Sequence, residues 1–280
     1  MHLDQSEQSA LLELVRKAAK AEIMPRFRYL DGGDIRSKSG PDDLVTDADV
    51  GAEAVITAGV RAILSDPIVV GEEAAALNPD IISNIGSAEW GVIIDPVDGT
   101  WNFANGLSTF GVILAVTHKG ETCFGLLYDP VVDDWIVASK GEGVFFGRPD
   151  ASPIRLPKLE KRPLSEMHAI MPNVFFREAF GPKLAEQTRS IRRFGSYRCA
   201  CHEYRLTAQG RNDFILNMTM NPWDHAAGVL VIEELGGAAG LLDGRPYSPT
   251  ENLGAFLVSA HADNLPILQD KFGWMGEHLY

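Results

Sequence analysis

The chain has 280 residues, and 25 Lys and Arg against 38 Asp and Glu leave a formal net charge of −13. Hydrophobic residues make up 45% and charged residues 22%, a globular composition that excludes a disordered, collagen-like or coiled-coil chain. The acid excess argues against nucleic acid as the main partner, because that affinity rests on clustered Lys and Arg, although a local cation could reverse the field at one site.

A chain this long buries roughly three-quarters of its unfolded surface, enough for one large core or two smaller ones. Cys123, Cys199 and Cys201 are the three cysteines, too few and too unevenly spread for a disulfide framework, so the expected setting is reduced and cytoplasmic. The first twenty residues have no unbroken apolar run and do not read as a secretory or transit segment. No window approaches the ~20 apolar residues of a membrane span, and no membrane is expected as a partner.

The first amphipathic pattern runs from Ser6 to Met24, with Leu11, Val15 and Ala18 on one face and Pro25 as its stop. Thr46 followed by Asp49 is a capping-box pattern, and Ala52, Ile56, Val60 and Ile63 continue it as a second helix. The two helices are expected to share one face of a sheet. Short apolar runs at 67–70, 90–95, 109–117, 122–129, 134–139 and 143–146 then read as strands. Compact turns between the later ones predict an antiparallel meander. The Pro-rich, charged stretch 147–163 reads as a linker. It divides an N-terminal α+β domain, residues 1–150, from a C-terminal α/β domain, residues 151–280.

In the second domain, strand-like runs at 168–171, 190–194, 213–216 and 255–259 alternate with helical patterns near 175–189, 200–209, 222–235 and 262–272. The helix from Pro222 has Asn221 as its expected N-cap and Gly236-Gly237 as its stop.

Three acidic groupings sit at strand ends or helix starts: Gly71-Glu72-Glu73, Asp95-Pro96-Val97-Asp98-Gly99-Thr100 and Asp224. Asp95 and Asp98 with a backbone carbonyl between them supply oxygen ligands for a hard cation such as Mg²⁺. The amides of Gly99 and Thr100 at a following helix start would suit an anion. Each grouping also has a plainer reading. Asp, Pro and Gly are turn formers, Glu72 and Glu73 fit a solvated loop, and Asp224 fits a first-turn acid favoured by the helix dipole. Cys199-Ala200-Cys201-His202 lacks a second ligand pair for zinc and reads as packing or pocket lining.

Together these segments resemble the inositol monophosphatase family of lithium-sensitive, Mg²⁺-dependent sugar phosphatases. The matching strings are Lys38 with Asp43-Leu44-Val45-Thr46-Asp47-Ala48-Asp49, Gly71-Glu72-Glu73, Asp95-Pro96-Val97-Asp98-Gly99-Thr100-Trp101-Asn102-Phe103, and Trp223-Asp224-His225-Ala226-Ala227-Gly228. The resemblance implies a layered αβαβα fold, a homodimer and a small phosphorylated substrate. It implies one Mg²⁺ on Glu72, Asp95 and the Val97 carbonyl, a second on Asp95, Asp98 and Asp224, and a third, weaker ion near Glu72. It also implies that Glu72 and Thr100 orient an attacking water, that Asp49 accepts from Thr100, and that the Gly99 and Thr100 amides hold phosphate oxygens.

For the substrate, the resemblance points to Ser196 and Tyr197 beside the sugar ring and to Asn217 where inositol-specific enzymes carry a glutamate. Lys38 and Arg198 are further candidates. Arg198 belongs to a dense basic region that also includes Arg189, Arg192, Arg193, Arg205 and Arg211, which either contacts a second phosphate or is a solvated face. Myo-inositol 1-phosphate is the first expectation. Histidinol phosphate, fructose 1,6-bisphosphate and 3′-phosphoadenosine 5′-phosphate are the alternatives, and a regulatory factor acting through RNA or the transcription machinery is the competing class.

Overall fold

The computed structural model of the chain describes residues 3–172 and 180–278. Helix α1 (Gln5–Ala18) begins one residue before its apolar stripe suggests, because Asp4 and Glu7 form a reciprocal capping box. A single π-helical turn, Ala19–Ile23, carries it toward Met24. Helix α2 (Asp47–Ile63) starts on the expected box: Thr46 accepts from the Ala48 amide, and Asp49 accepts from the Thr46 amide. Its inward face carries Ala52, Ile56 and Val60, but also Asp49 and Glu53.

Both helices cover one face of a seven-stranded sheet, packing on Val92, Ile94, Leu114, Val116 and Leu126. Its strands, in spatial as in chain order, are β3 (Ile68–Gly71), β4 (Trp90–Asp98), β5 (Gly111–His118), β6 (Glu121–Asp129), β7 (Asp134–Ser139), β8 (Gly143–Gly147) and β9 (Ile154–Arg155). From β4 onward every pairing is antiparallel, as the short turns require. The parallel β3–β4 pair is joined by α3 (Glu72–Leu77) and a 3₁₀ segment, Pro79–Gly86. The stretch 147–163 is more than a linker, since β9 lies within it and extends the sheet edge.

A second sheet of five strands has the order β11 (Arg193–Gly195), β10 (His168–Ile170), β12 (Phe214–Asn217), β14 (Phe256–Ser259), β13 (Ala238–Leu241). β10 runs parallel to both neighbours, while β14 is antiparallel to β12 and β13. Residues 175–179 of the helix expected near 175–189 lie outside the described residues, and the helix seen there is α5 (Gly181–Thr188). The strand expected at 190–194 lies later, at Arg193–Gly195.

Helices α6 (Ala200–Ala208) and α7 (Pro222–Glu234) lie between the two sheets, in one core that includes Ile93, Leu127, Ile215 and Phe256. Helix α8 (Leu265–Phe272) packs with α5 on the outer face of the five-stranded sheet, around Leu184, Leu257 and Leu268. The layers are therefore αβαβα. A polar hairpin, β1 (Ile35–Gly40) with β2 (Asp43–Thr46), stands apart and leads into α2. No helix among the described residues is long and apolar enough to cross a membrane.

Small residues in α7 are dictated by this sandwiching. A Cβ on Gly228 would run into the ring of the fully buried Tyr204 on α6. Gly228→Val is therefore expected to lower unfolding stability by about 1–3 kcal/mol through overpacking, read as a lower midpoint in chemical denaturation. An unchanged midpoint would show that the two helices separate freely.

Candidate active site

Strand β4 is buried along almost its whole length and ends in acids. Its pairing with β5 shifts register between Asp95 and Asp98. The bulge turns both carboxylates to one end of the sheet and accommodates Pro96, which has no amide to offer a ladder. From the other side, the first turn of α7 brings Asp224. Carboxylate oxygens of Asp95, Asp98 and Asp224 all lie within 4.8 Å of one another.

Such a group is unfavourable by itself. Burial raises the pKa of Asp95 and of Asp224 well above the ordinary value, the neighbouring charges of Glu72 and Asp98 add to both, and that of Asp224 adds to Asp95. Asp98 is also raised by burial, though less freely, because hydrogen bonds from the start of α6 favour its charged form. Its Oδ1 accepts the Ala200 amide at 3.1 Å, and its Oδ2 accepts the Cys201 amide and, at 3.1 Å, the Cys199 thiol. One lone pair on Oδ1 remains for a further partner. Asn221, expected to cap α7, instead donates to Asp224 Oδ2 at 3.1 Å.

The donor set fits a hard divalent cation. All three side chains offer oxygen, Asp95 and Asp98 are buried and Asp224 is partly buried, and among the described residues no Lys or Arg forms an ion pair with them. The adjacent thiols are not competitors, since burial holds Cys199 and Cys201 well above the usual thiol pKa and both remain protonated.

Around this cluster the hairpin and α2 supply the remaining groups. Lys38, from β1, donates to Glu72 at 2.8 Å and to Glu73 at 2.6 Å. Burial disfavours its ammonium, but the two glutamates outweigh this and hold its pKa above the ordinary value. Glu73 is pushed up to about 7 by burial. Asp49 is raised to about 6, also chiefly by burial. Its Oδ1 lies 3.0 Å from the Thr100 hydroxyl, which lies 2.9 Å from the Val97 carbonyl. One hydroxyl proton thus has two acceptors, and a change at the Val97 carbonyl is passed to Asp49.

Gly99 has φ +86, and an added Cβ would stand 3.0 Å from the Thr109 carbonyl and 3.1 Å from Cys199 Cβ. Only glycine suits that turn. It leads into α4 (Thr100–Ala104), where Asn102 donates to the carbonyls of Thr109 and Tyr197, each at 2.8 Å.

The expected substrate residues lie in the turn after β11 and at the end of β12. Ser196 and the Tyr197 amide bind Glu203 Oε1 at 3.0 and 2.8 Å, while the Tyr197 side chain is 45% exposed. Asn217 uses its carbonyl oxygen on the Met218 amide at 2.8 Å. Arg198 has φ +54, stacks 4.4 Å from the Trp101 ring centroid and pairs with Asp42 at 3.0 Å. The basic region is not one face: Arg205 is buried and bonded to Asp134 and the Leu127 carbonyl. Two organising acids escaped sequence reasoning. Glu53 caps α3 by accepting the Glu73 and Ala74 amides at 2.8 and 3.0 Å, and Glu203 ties the turn after β11. The signal for Glu53 was its place on the apolar stripe of α2.

Buried oxygens of this kind, next to a glycine-led helix start, define a layered α/β protein suited to a phosphate ester and a hard cation. The model of the inositol monophosphatase family matches residues 4–270, and the chain belongs to that family. It is 30% identical over 219 residues to the inositol-1-monophosphatase of Bacillus subtilis, covering 78% of this chain and 80% of that one. It is 32% identical over 227 residues to the fructose-1,6-bisphosphatase/inositol-1-monophosphatase of Thermotoga maritima, covering 81% of each. The Nus factor SuhB of Escherichia coli is 30% identical over 248 residues, covering 85% of this chain and 88% of that one. Among solved structures, a Thermotoga maritima IMPase superposes with a TM-score of 0.78 at 25% identity, covering 99% of this chain and 100% of that one. Family and relatives together support phosphatase activity.

Glu203 titrates beside the cluster, and the charge of Asp98 adds to the effect of its burial. Burial raises it to about 7 from an ordinary 4.5, so the folded state holds its proton more tightly than the unfolded chain. Its contribution to stability is complete below about 4.5 and is lost as pH rises through about 7. The denaturation midpoint of wild type should fall across that window, and Glu203→Gln, which keeps the accepting oxygen, should fall less. Parallel curves would assign the titration elsewhere.

Proposed function

We propose that the chain is a Mg²⁺-dependent phosphate monoester hydrolase acting on a small polyol phosphate, with myo-inositol 1-phosphate as the first substrate. The observation that carries this reading is the set of three carboxylates within 4.8 Å, two buried and one partly buried, unpaired by any Lys or Arg among the described residues. Glu72, Asp95, the Val97 carbonyl, Asp98 and Asp224 would hold two Mg²⁺ ions, with a third, weaker one near Glu72. Bound there, Mg²⁺ would supply an activated water and stabilise the leaving oxygen.

The chain's own groups account for the rest. Thr100 and Glu72 orient the attacking water. Asp49, held by Thr46, takes up the Thr100 hydroxyl proton. Lys38 keeps Glu72 and Glu73 close together despite their charge. The Gly99 and Thr100 amides face the phosphate oxygens as negative charge develops. Ser196, Tyr197, Asn217 and Arg198 form the region where the alcohol is selected, and there histidinol phosphate, fructose 1,6-bisphosphate and 3′-phosphoadenosine 5′-phosphate compete as substrates. The working form is taken to be a cytoplasmic homodimer.

A second reading rests on the relatives named Nus factor SuhB: a regulatory factor that retains the site. The scattered arginines and a net charge of −13 speak against direct RNA contact. Purified protein should release phosphate from at least one of the four esters with Mg²⁺, lose the activity in EDTA, and be inhibited by Li⁺. Asp95→Asn should lower turnover by about 100-fold or more, since substituting even groups behind the ligands of such sites costs 10–100-fold. A deletion strain restored by Asp95→Asn would favour the regulatory reading, and no turnover on any ester would overturn the enzymatic one.

A further inference from the structure

A cavity of about 790 Å³ opens between the segment 161–167 entering β10, residues 189–192 entering β11 and residues 264–267 at the start of α8. Topology separates it from the carboxylate cluster. β10, β11 and β12 are mutually parallel, and their C-terminal ends lead to the site, through Gly195 to the turn on Asp98 and through Asn217 to Asp224. The cavity gathers around the opposite ends of these strands, a strand length of roughly 10–13 Å away at 3.3 Å per residue.

Its walls concentrate positive charge in an acidic chain. Lys161, Arg162, Arg189 and Arg192 line it, and among the described residues no acid faces Arg189 or Arg192 in an ion pair or hydrogen bond. Arginines elsewhere are commonly paired, as Arg16 is with Glu13 and Asp133, Arg26 with Glu22 and Arg36 with Asp47. The C-terminal dipole of α5, which ends at Thr188, accounts for one cation. On the facing wall Lys161 is paired with Asp263 at 3.1 Å. Arg162 is held by Asp213 at 3.3 Å and by the Gly210 carbonyl at 3.2 Å, which fixes the guanidinium in place. Leu164, Met167, Ile191 and Ile267 supply an apolar wall between the charges.

We propose that this cavity binds a phosphate-bearing small molecule of nucleotide size, its phosphates held by Arg189 and Arg192 and its less polar body against Leu164 and Ile267. Guanidinium groups match phosphate oxygens in pairs, and the volume lies in the range that encloses such ligands. The site works without the carboxylate cluster, so it is independent of the phosphatase reading.

Calorimetric titration with ADP in EDTA, at low salt, tests it. ADP should bind wild type, and Asp95→Asn/Asp224→Asn should retain that affinity. Arg189→Ala/Arg192→Ala should weaken it by about tenfold or more, as expected for removing charged hydrogen bonds. Tripolyphosphate should displace ADP and adenosine should not. Both arginines are exposed, so the double variant should keep its fold and its phosphate release in the absence of ADP. No binding of ADP, affinity unchanged in the arginine variant, loss in the carboxylate variant, or displacement by adenosine and not tripolyphosphate would each overturn the assignment.

Discussion

Carboxylates brought together out of water repel one another, and most of this fold can be understood as the means of holding them there. Asp95, Asp98 and Asp224 come from a strand end, the bulge after it and a helix from the other half of the chain. Buried charges demand compensation, and the structure provides it unevenly. Asp98 has two amides and a thiol, Asp224 has Asn221, and Asp95, among the described residues, accepts the Val97 amide at 3.1 Å and shares a hydrogen bond with Asp224. What remains uncompensated lies between Asp95 and Asp224, and a proton or a cation must make up the difference.

That requirement also binds the two halves together. α6 has no side chain of its own capping its start, and Asp98 from the first sheet performs the task across the interface. A cap is worth about 0.5–2 kcal/mol, and this one adds full charge to the amides of the first turn. Arg205, further along α6, reaches back to the Leu127 carbonyl and Asp134. Breaking a buried pair of that kind costs about 3–5 kcal/mol. A single core runs from Ile93 and Leu127 through α7 to Ile215 and Phe256. The carboxylate site therefore lies on a seam that is structural as well as chemical.

How much of this could be read from the chain depended on whether a residue's role was local. The meander was legible because alternating turns and apolar runs leave one arrangement for short links. Thr46 and Asp49 were legible because a capping box is complete within four residues. The β1–β2 hairpin was not, since Ile35–Gly40 is nearly all polar and its purpose is to present Lys38. β13, the string Ala238–Leu241, carries too little side chain to announce a strand. Glu53 and Glu203 bind backbone amides 20 and 6 residues away, contacts that only the assembled fold reveals. The partners of Ser196 and Arg198 are hidden in the chain for the same reason: their side chains answer to Glu203, Trp101 and Asp42.

The string Asp95–Phe103 also divides by physical role. Asp95 and Asp98 belong to the cluster, the Val97 carbonyl accepts the Thr100 hydroxyl, and Gly99 permits the turn beyond it. Asn102 does no chemistry; it donates to Thr109 and Tyr197 and so ties α4 to the C-terminal half. Phe103 packs at 5.0 Å from Phe110 and 5.7 Å from Phe27, anchoring the same short helix on α1's side of the sheet. A five-residue helix is too short to be stable alone. Its place is fixed by the Asn102 hydrogen bonds on one side, the aromatic cluster on the other and the Thr100 hydroxyl on Asp49.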